Sequence, residues 1–73
     1  MKDLINIKKK GFKIDTNWQD LKKKSIFFIN TDNKKNFINY QKNAIKKNCS
    51  YIICSEKYRN EKISGLIYFY FKD

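Results

Sequence analysis

The chain has 73 residues, enough for one small domain, and a domain of this size hides only about 60% of its unfolded surface. At 41% hydrophobic and 16% aromatic it is too rich in large apolar side chains for a disordered segment, and 17 basic against 7 acidic residues give a formal charge of +10. These values exclude a multidomain enzyme, and no apolar run approaches the ~18 residues of a membrane span, so the expectation is a cytoplasmic domain with no membrane partner.

From Met1 to Lys10 the apolar Met1, Leu4, Ile5 and Ile7 give way to Lys8, Lys9 and Lys10, which reads as a short basic arm over residues 1–11. Gly11 marks a turn, and Phe12-Lys13-Ile14-Asp15 alternates with the period of a half-buried strand. A polar connection over 16–24 carries Trp18, Leu21 and a second lysine run, Lys22 to Lys24. Ile26 to Ile29 is unbroken, β-branched and aromatic, which predicts a strand buried on both faces. Asn30 to Asn36 reads as a polar loop. Phe37, Tyr40, Ala44 and Ile45 then recur at helical spacing, with Asn39, Lys42, Asn43, Lys46 and Lys47 opposite. Lys46 and Lys47 suit the negative end of the helix dipole, and Asn48 suits a left-handed cap. Tyr51 to Cys54 is another compact apolar strand, and Ser55 to Ser64 a charged loop or short helical turn. After Gly65, Leu66 to Phe71 is apolar at nearly every position, so both of its faces are expected to be covered or paired.

The order strand, strand, helix, strand, strand contains one βαβ crossover, which makes Ile26–Ile29 and Tyr51–Cys54 parallel. The predicted fold is a small single α/β domain over residues 12–73, a mostly parallel sheet of about four strands with one main helix. One helix leaves a sheet face short of cover, and the aromatics from Leu66 to Phe71 would then offer a docking surface to another domain or another copy of the chain.

Chemistry-bearing residues are sparse. There is no His, and Cys49 and Cys54 alone cannot build a structural zinc site, so no metal or cofactor is expected and both thiols read as free core residues. Gly11 and Gly65 open no phosphate-binding loop, and the acidic residues show no paired spacing, so no catalytic residue is expected. Lys8, Lys9, Lys10, Lys22, Lys23 and Lys24 are the candidates for a phosphate or nucleic-acid surface. Against that reading, Arg59 is the one Arg, and Lys, Asn and Ile enriched together is what AT-rich coding produces. Nor is the charge gathered along the chain: ten Lys and four Asp over 1–36 give +6, and seven basic and three acidic residues over 37–73 give +4. Tyr68 and Tyr70, or Phe69 and Phe71, as base-stacking platforms would need the second helix of an RNA-recognition module, so they read as core.

Asp15-Thr16-Asn17 followed by Ile26-Phe27-Phe28, then Ala44-Ile45-Lys46-Lys47-Asn48-Cys49, Tyr51-Ile52-Ile53 and the closing Leu66 to Asp73 together resemble the amino-terminal domain of the Mur ligases. The likeness is greatest to those that add the third peptide residue to UDP-MurNAc-L-Ala-D-Glu, and it covers about residues 12–73. In that family the first strand ends in Asp-Ser-Arg, a helix carries Ala-Ile-x-x-Gly-Ala, and the domain holds the UDP end of a bacterial cell-wall precursor. A separate ATP-binding domain performs the ligation. The resemblance implies that Thr16 stands where the family's Ser offers a hydroxyl to the uridine nucleotide, beside Asn17. It implies too that the segment 30–40, with Asn36 and Asn39, stands where the family's Asp-Gly-His lines the uracil pocket, with Lys available for the pyrophosphate. The family's P-loop and third domain have no counterpart here, so any ligase activity would need the remaining ligase domains as partners. The alternatives are a small basic nucleic-acid-binding protein and a structural module docking through Leu66 to Phe71.

Overall fold

The segments 26–29 and 51–54 are apolar on both faces because they become the two inner strands of a sheet. The computed structural model describes residues 2–72 and orders them as α1 (Lys2–Lys9), β1 (Lys13–Asp15), a 3-10 turn (Trp18–Asp20), β2 (Ser25–Phe28), α2 (Lys34–Lys46), β3 (Tyr51–Ser55), a 3-10 helix (Glu56–Glu61) and β4 (Ile67–Phe71). The sheet is four-stranded in the order β1-β2-β3-β4 and every pair is parallel, with Ile14 opposite Ile26, Phe27 opposite Ile52 and Ile53 opposite Phe69. The predicted α/β class and parallel central pair are therefore observed. Among the described residues no helix is long and apolar enough to cross a membrane.

Successive parallel strands joined by right-handed crossovers send every connection over the same face. Leu21 from the first connection, Phe37 and Ala44 from α2, and Tyr58 from the third accordingly share one cluster with Phe27, Ile52 and Cys54. Within it Phe37 stacks on Tyr58 with ring centroids 4.2 Å apart, and the Tyr58 hydroxyl donates to the Thr31 carbonyl at 2.7 Å. The opposite face gathers Ile26 and Ile53 with Phe12, Phe28, Tyr51, Phe69 and Phe71, and Leu4 of α1 is buried among them. Residues 1–11, read as an arm, thus contain a helix that covers the second face. Leu4 and Ile7 lie three apart on its inner side, Asp3 and Lys8-Lys9 match its dipole, and Gly11 ends it at φ +92°.

Three expectations need correction. Leu66 to Phe71 is covered less fully than expected: β4 is an edge strand, paired with β3 alone and half-buried, with Tyr68 and Tyr70 against one cluster, Phe69 and Phe71 against the other, and Ile67 52% exposed. Helix α2 begins before Phe37, because the Asn33 side chain accepts from the Asn36 backbone N–H at 3.0 Å and caps it. Ile45 is exposed and Gln41 is fully buried in its stead. Burial of this amide is tolerable because both ends are satisfied: its nitrogen donates to the Glu61 carbonyl at 3.0 Å and its oxygen accepts from the Tyr68 hydroxyl. Tyr68 in turn accepts from the Ile63 N–H at 2.9 Å, so one network ties α2 to the last connection and β4.

Asn48 does adopt the left-handed conformation, φ +61°. The Cys49 N–H donates to Ala44 at 2.9 Å and the Asn48 N–H to Ile45 at 3.0 Å, the two bonds of a Schellman cap. That cap turns the chain from α2 into β3. Replacing Asn48 with Ala should cost about 1 kcal/mol, and replacing it with Gly should cost nothing or stabilise slightly, as read from urea-unfolding midpoints. Equal midpoints for the Ala and Gly variants would contradict a cap that depends on positive φ.

Candidate functional site

Parallel α/β sheets place ligands beyond the carboxyl ends of their strands, where loops diverge. Here β1 and β2 end at Asp15 and Phe28, and the residues that follow them line a groove of about 380 Å³. Thr16 and Asn17 come from the first strand end, Asn30 from the second, Trp18 from the 3-10 turn and Tyr40 from α2. Phe27 and Ile29 are buried beneath it, and Tyr40 meets Phe27 edge-on at 5.9 Å. The Asn17 side-chain oxygen accepts from the Gln19 N–H at 3.0 Å and starts the turn that holds Trp18 at the rim. This leaves the Asn17 amide nitrogen and the exposed Thr16 hydroxyl as directed polar groups beside two aromatic rings.

Of the residues implied by the resemblance, Thr16 and Asn17 are brought together at this groove. Asn36 and Asn39 are not among its lining residues; both are exposed on α2, Asn36 one turn before Tyr40 and Asn39 next to it. Motif reading passed over Trp18, and it did not single out Tyr40 within the segment 30–40 that the resemblance implied. A lone Trp within a polar connection was the available signal for the first, and the apolar spacing that assigned Tyr40 to the core concealed the second.

The lysine runs lie at the other end of the sheet, before the strands rather than after them. The Lys13 N–H donates to the Lys24 carbonyl at 3.0 Å, and the Lys24 ammonium donates to the Lys10 carbonyl at 3.3 Å, so Lys8-Lys9-Lys10 and Lys22-Lys23-Lys24 become neighbours. No lysine lines the Thr16–Asn17 groove, so neither run is placed beside a pyrophosphate held there. The charge that is even along the sequence is gathered in space, with Lys47 joining from the end of α2 through a 3.4 Å bond to the Gln19 carbonyl. Lys13 and Lys47 were not among the candidates for this surface, Lys13 because it is a single charge in a strand and Lys47 because, with Lys46, it was assigned to the helix dipole.

At the lysine-bearing end Ser25, the first residue of β2, locks β1 to β2. Its buried hydroxyl donates to Asp15 at 2.6 Å and accepts from the Lys22 N–H at 2.8 Å. Cys49 and Cys54 are free and buried, and among the described residues no group of His, Cys, Asp or Glu could hold a metal. Burial pushes the Cys49 thiol up and raises Cys54 to about 11, so neither is a nucleophile at neutral pH.

The raised thiol has a consequence for stability. An unfolded thiol loses its proton near pH 9 while folded Cys54 keeps its own to about 11, so the unfolded state binds fewer protons between those values and stability falls as pH rises. Tyr68 and Tyr70, raised by burial, act in the same direction. The urea midpoint should drop between pH 9 and pH 11, and Cys54→Ala should flatten part of that drop. A midpoint constant across this window would contradict the buried-thiol assignment. In comparisons with known proteins, no family model, curated protein or solved structure matches the chain.

Proposed function

We propose that the chain is a substrate-holding domain of the Mur ligase type, which grips the uridine end of a UDP-sugar peptide in the groove beyond β1 and β2 while peptide-bond formation takes place on other domains. The observation that carries this reading is the convergence of Thr16, Asn17 and Asn30 with Trp18 and Tyr40 at adjacent strand ends. Uracil is a small flat ring with a fixed pattern of donors and acceptors, and such a ring is held by aromatic faces and a few directed polar groups on a rigid scaffold. The Thr16 hydroxyl and the Asn17 amide suit that pattern, and the parallel sheet supplies the rigidity. On this reading the chain works in the cytoplasm, in cell-wall precursor synthesis, and it binds without catalysing.

Titration of UDP into isotopically labelled protein should shift the amide resonances of Thr16, Asn17, Asn30 and Tyr40. Thr16→Val should weaken binding roughly three- to tenfold, the value of one net hydrogen bond. An absence of shifts at millimolar UDP, or shifts confined to the lysine-bearing end, would overturn the reading.

A further inference from the structure

The amino end of the sheet carries a second surface, independent of the Thr16 groove. Lys8 to Lys10, Lys13, Lys22 to Lys24, Lys46 and Lys47 are all exposed there, and none of them forms an ion pair among the described residues. The ion pairs of Lys34 with Glu61 at 3.0 Å and of Lys57 with Asp32 at 2.8 Å lie toward the opposite end. A coding bias toward lysine raises the number of lysines without sorting them by end. Two grooves adjoin along this surface, and Lys24 lines both. One, of about 610 Å³, is bounded by Lys13, Lys22, Lys24 and Lys47, with Asp15 and Asp20 as its acidic members. The other, of about 750 Å³, has Lys23 and Lys24 on its rim and Phe12, Tyr51, Ile45 and Ile67 on its walls. Phe12 and Tyr51 meet edge to face at 5.2 Å, which fixes both rings.

We propose that this end of the sheet binds single-stranded nucleic acid, with the lysine rim following the phosphates and the Phe12–Tyr51 wall receiving bases. A basic track beside aromatic rings is the arrangement that holds single strands without regard to sequence. Lysine in place of arginine suits phosphate neutralisation and supplies no bidentate base reading, so little sequence preference is expected.

Fluorescence anisotropy with a labelled twelve-residue oligo(dT) or oligo(U) tests this on the full chain. Four neutralised phosphates would lower affinity by about 50-fold between 50 and 200 mM salt. Lys22→Gln/Lys23→Gln/Lys24→Gln should weaken binding at least tenfold, whereas Lys34→Gln/Lys35→Gln/Lys42→Gln, which removes the same charge from exposed positions of α2 outside both grooves, should change it less than threefold. Phe12→Leu, with circular dichroism unchanged, should weaken the single strand more than a duplex of equal length. Equal losses from the two triple variants would overturn the proposal by showing attraction to net charge alone. So would tighter binding to phosphatidylserine vesicles than to the oligonucleotide, or no binding at 50 mM salt.

Discussion

Everything in this molecule depends on covering both faces of a sheet whose strands run parallel and in sequential order. That order sends each connection back over one face, so α2 and the two 3-10 segments share a single core with Phe27, Ile52 and Cys54. Among the described residues no helix after β1 packs on the other face. The cover comes from before β1, where Leu4 of α1 sits on Ile26 and Ile53 and Ile7 packs beside it. At this chain length few side chains are available, and fully burying one large aliphatic residue contributes about 1.5–3 kcal/mol against a net stability of a similar order. The eight residues of α1 therefore carry a share of the stability out of proportion to their number.

Parallel strands also give the sheet two chemically different ends. Beyond the carboxyl ends, chain segments diverge and leave the groove of Thr16, Asn17 and Asn30 between them. Before the amino ends, the turn after α1, the loop into β2 and the cap of α2 converge, and lysines that are far apart in sequence become one surface. The two surfaces bind through different physics, directed hydrogen bonds and ring contact at one end and counterion release at the other. Ser25, at the lysine-bearing end and bonded to Asp15 and to the Lys22 backbone, ties together the two strands that serve both.

The central strands and α2 were legible in the sequence because burial on both faces, or on one helical stripe, leaves a periodic record. Asn48 was legible because few residues tolerate its φ. Helix α1 was not, although Leu4, Ile7, Asp3, Lys8-Lys9 and Gly11 form a complete helical signature: a run of lysines next to a chain terminus reads as solvated unless a face in need of cover is already known. The edge position of β4 was hidden for a related reason, since an aromatic edge strand and an aromatic inner strand have the same composition. Gln41 shows the limit of hydrophobic patterning, because its burial depends on Tyr68 and Glu61, partners 27 and 20 residues away. Of the candidate site, Thr16 and Asn17 came from the family resemblance and not from composition or periodicity, while the meeting of the two lysine runs depends on a strand register that composition does not encode.

The dependence of the whole sheet on α1 is tested most directly by urea unfolding of the chain with residues 1–11 removed, compared with the full chain. Loss of the Leu4 and Ile7 contacts is expected to lower stability by about 3 kcal/mol or more, or to abolish the cooperative transition, with the aromatic face then binding a hydrophobic dye. An unchanged midpoint and slope would show that residues 12–73 fold unaided, and would contradict the assignment of α1 as the cover of the second face.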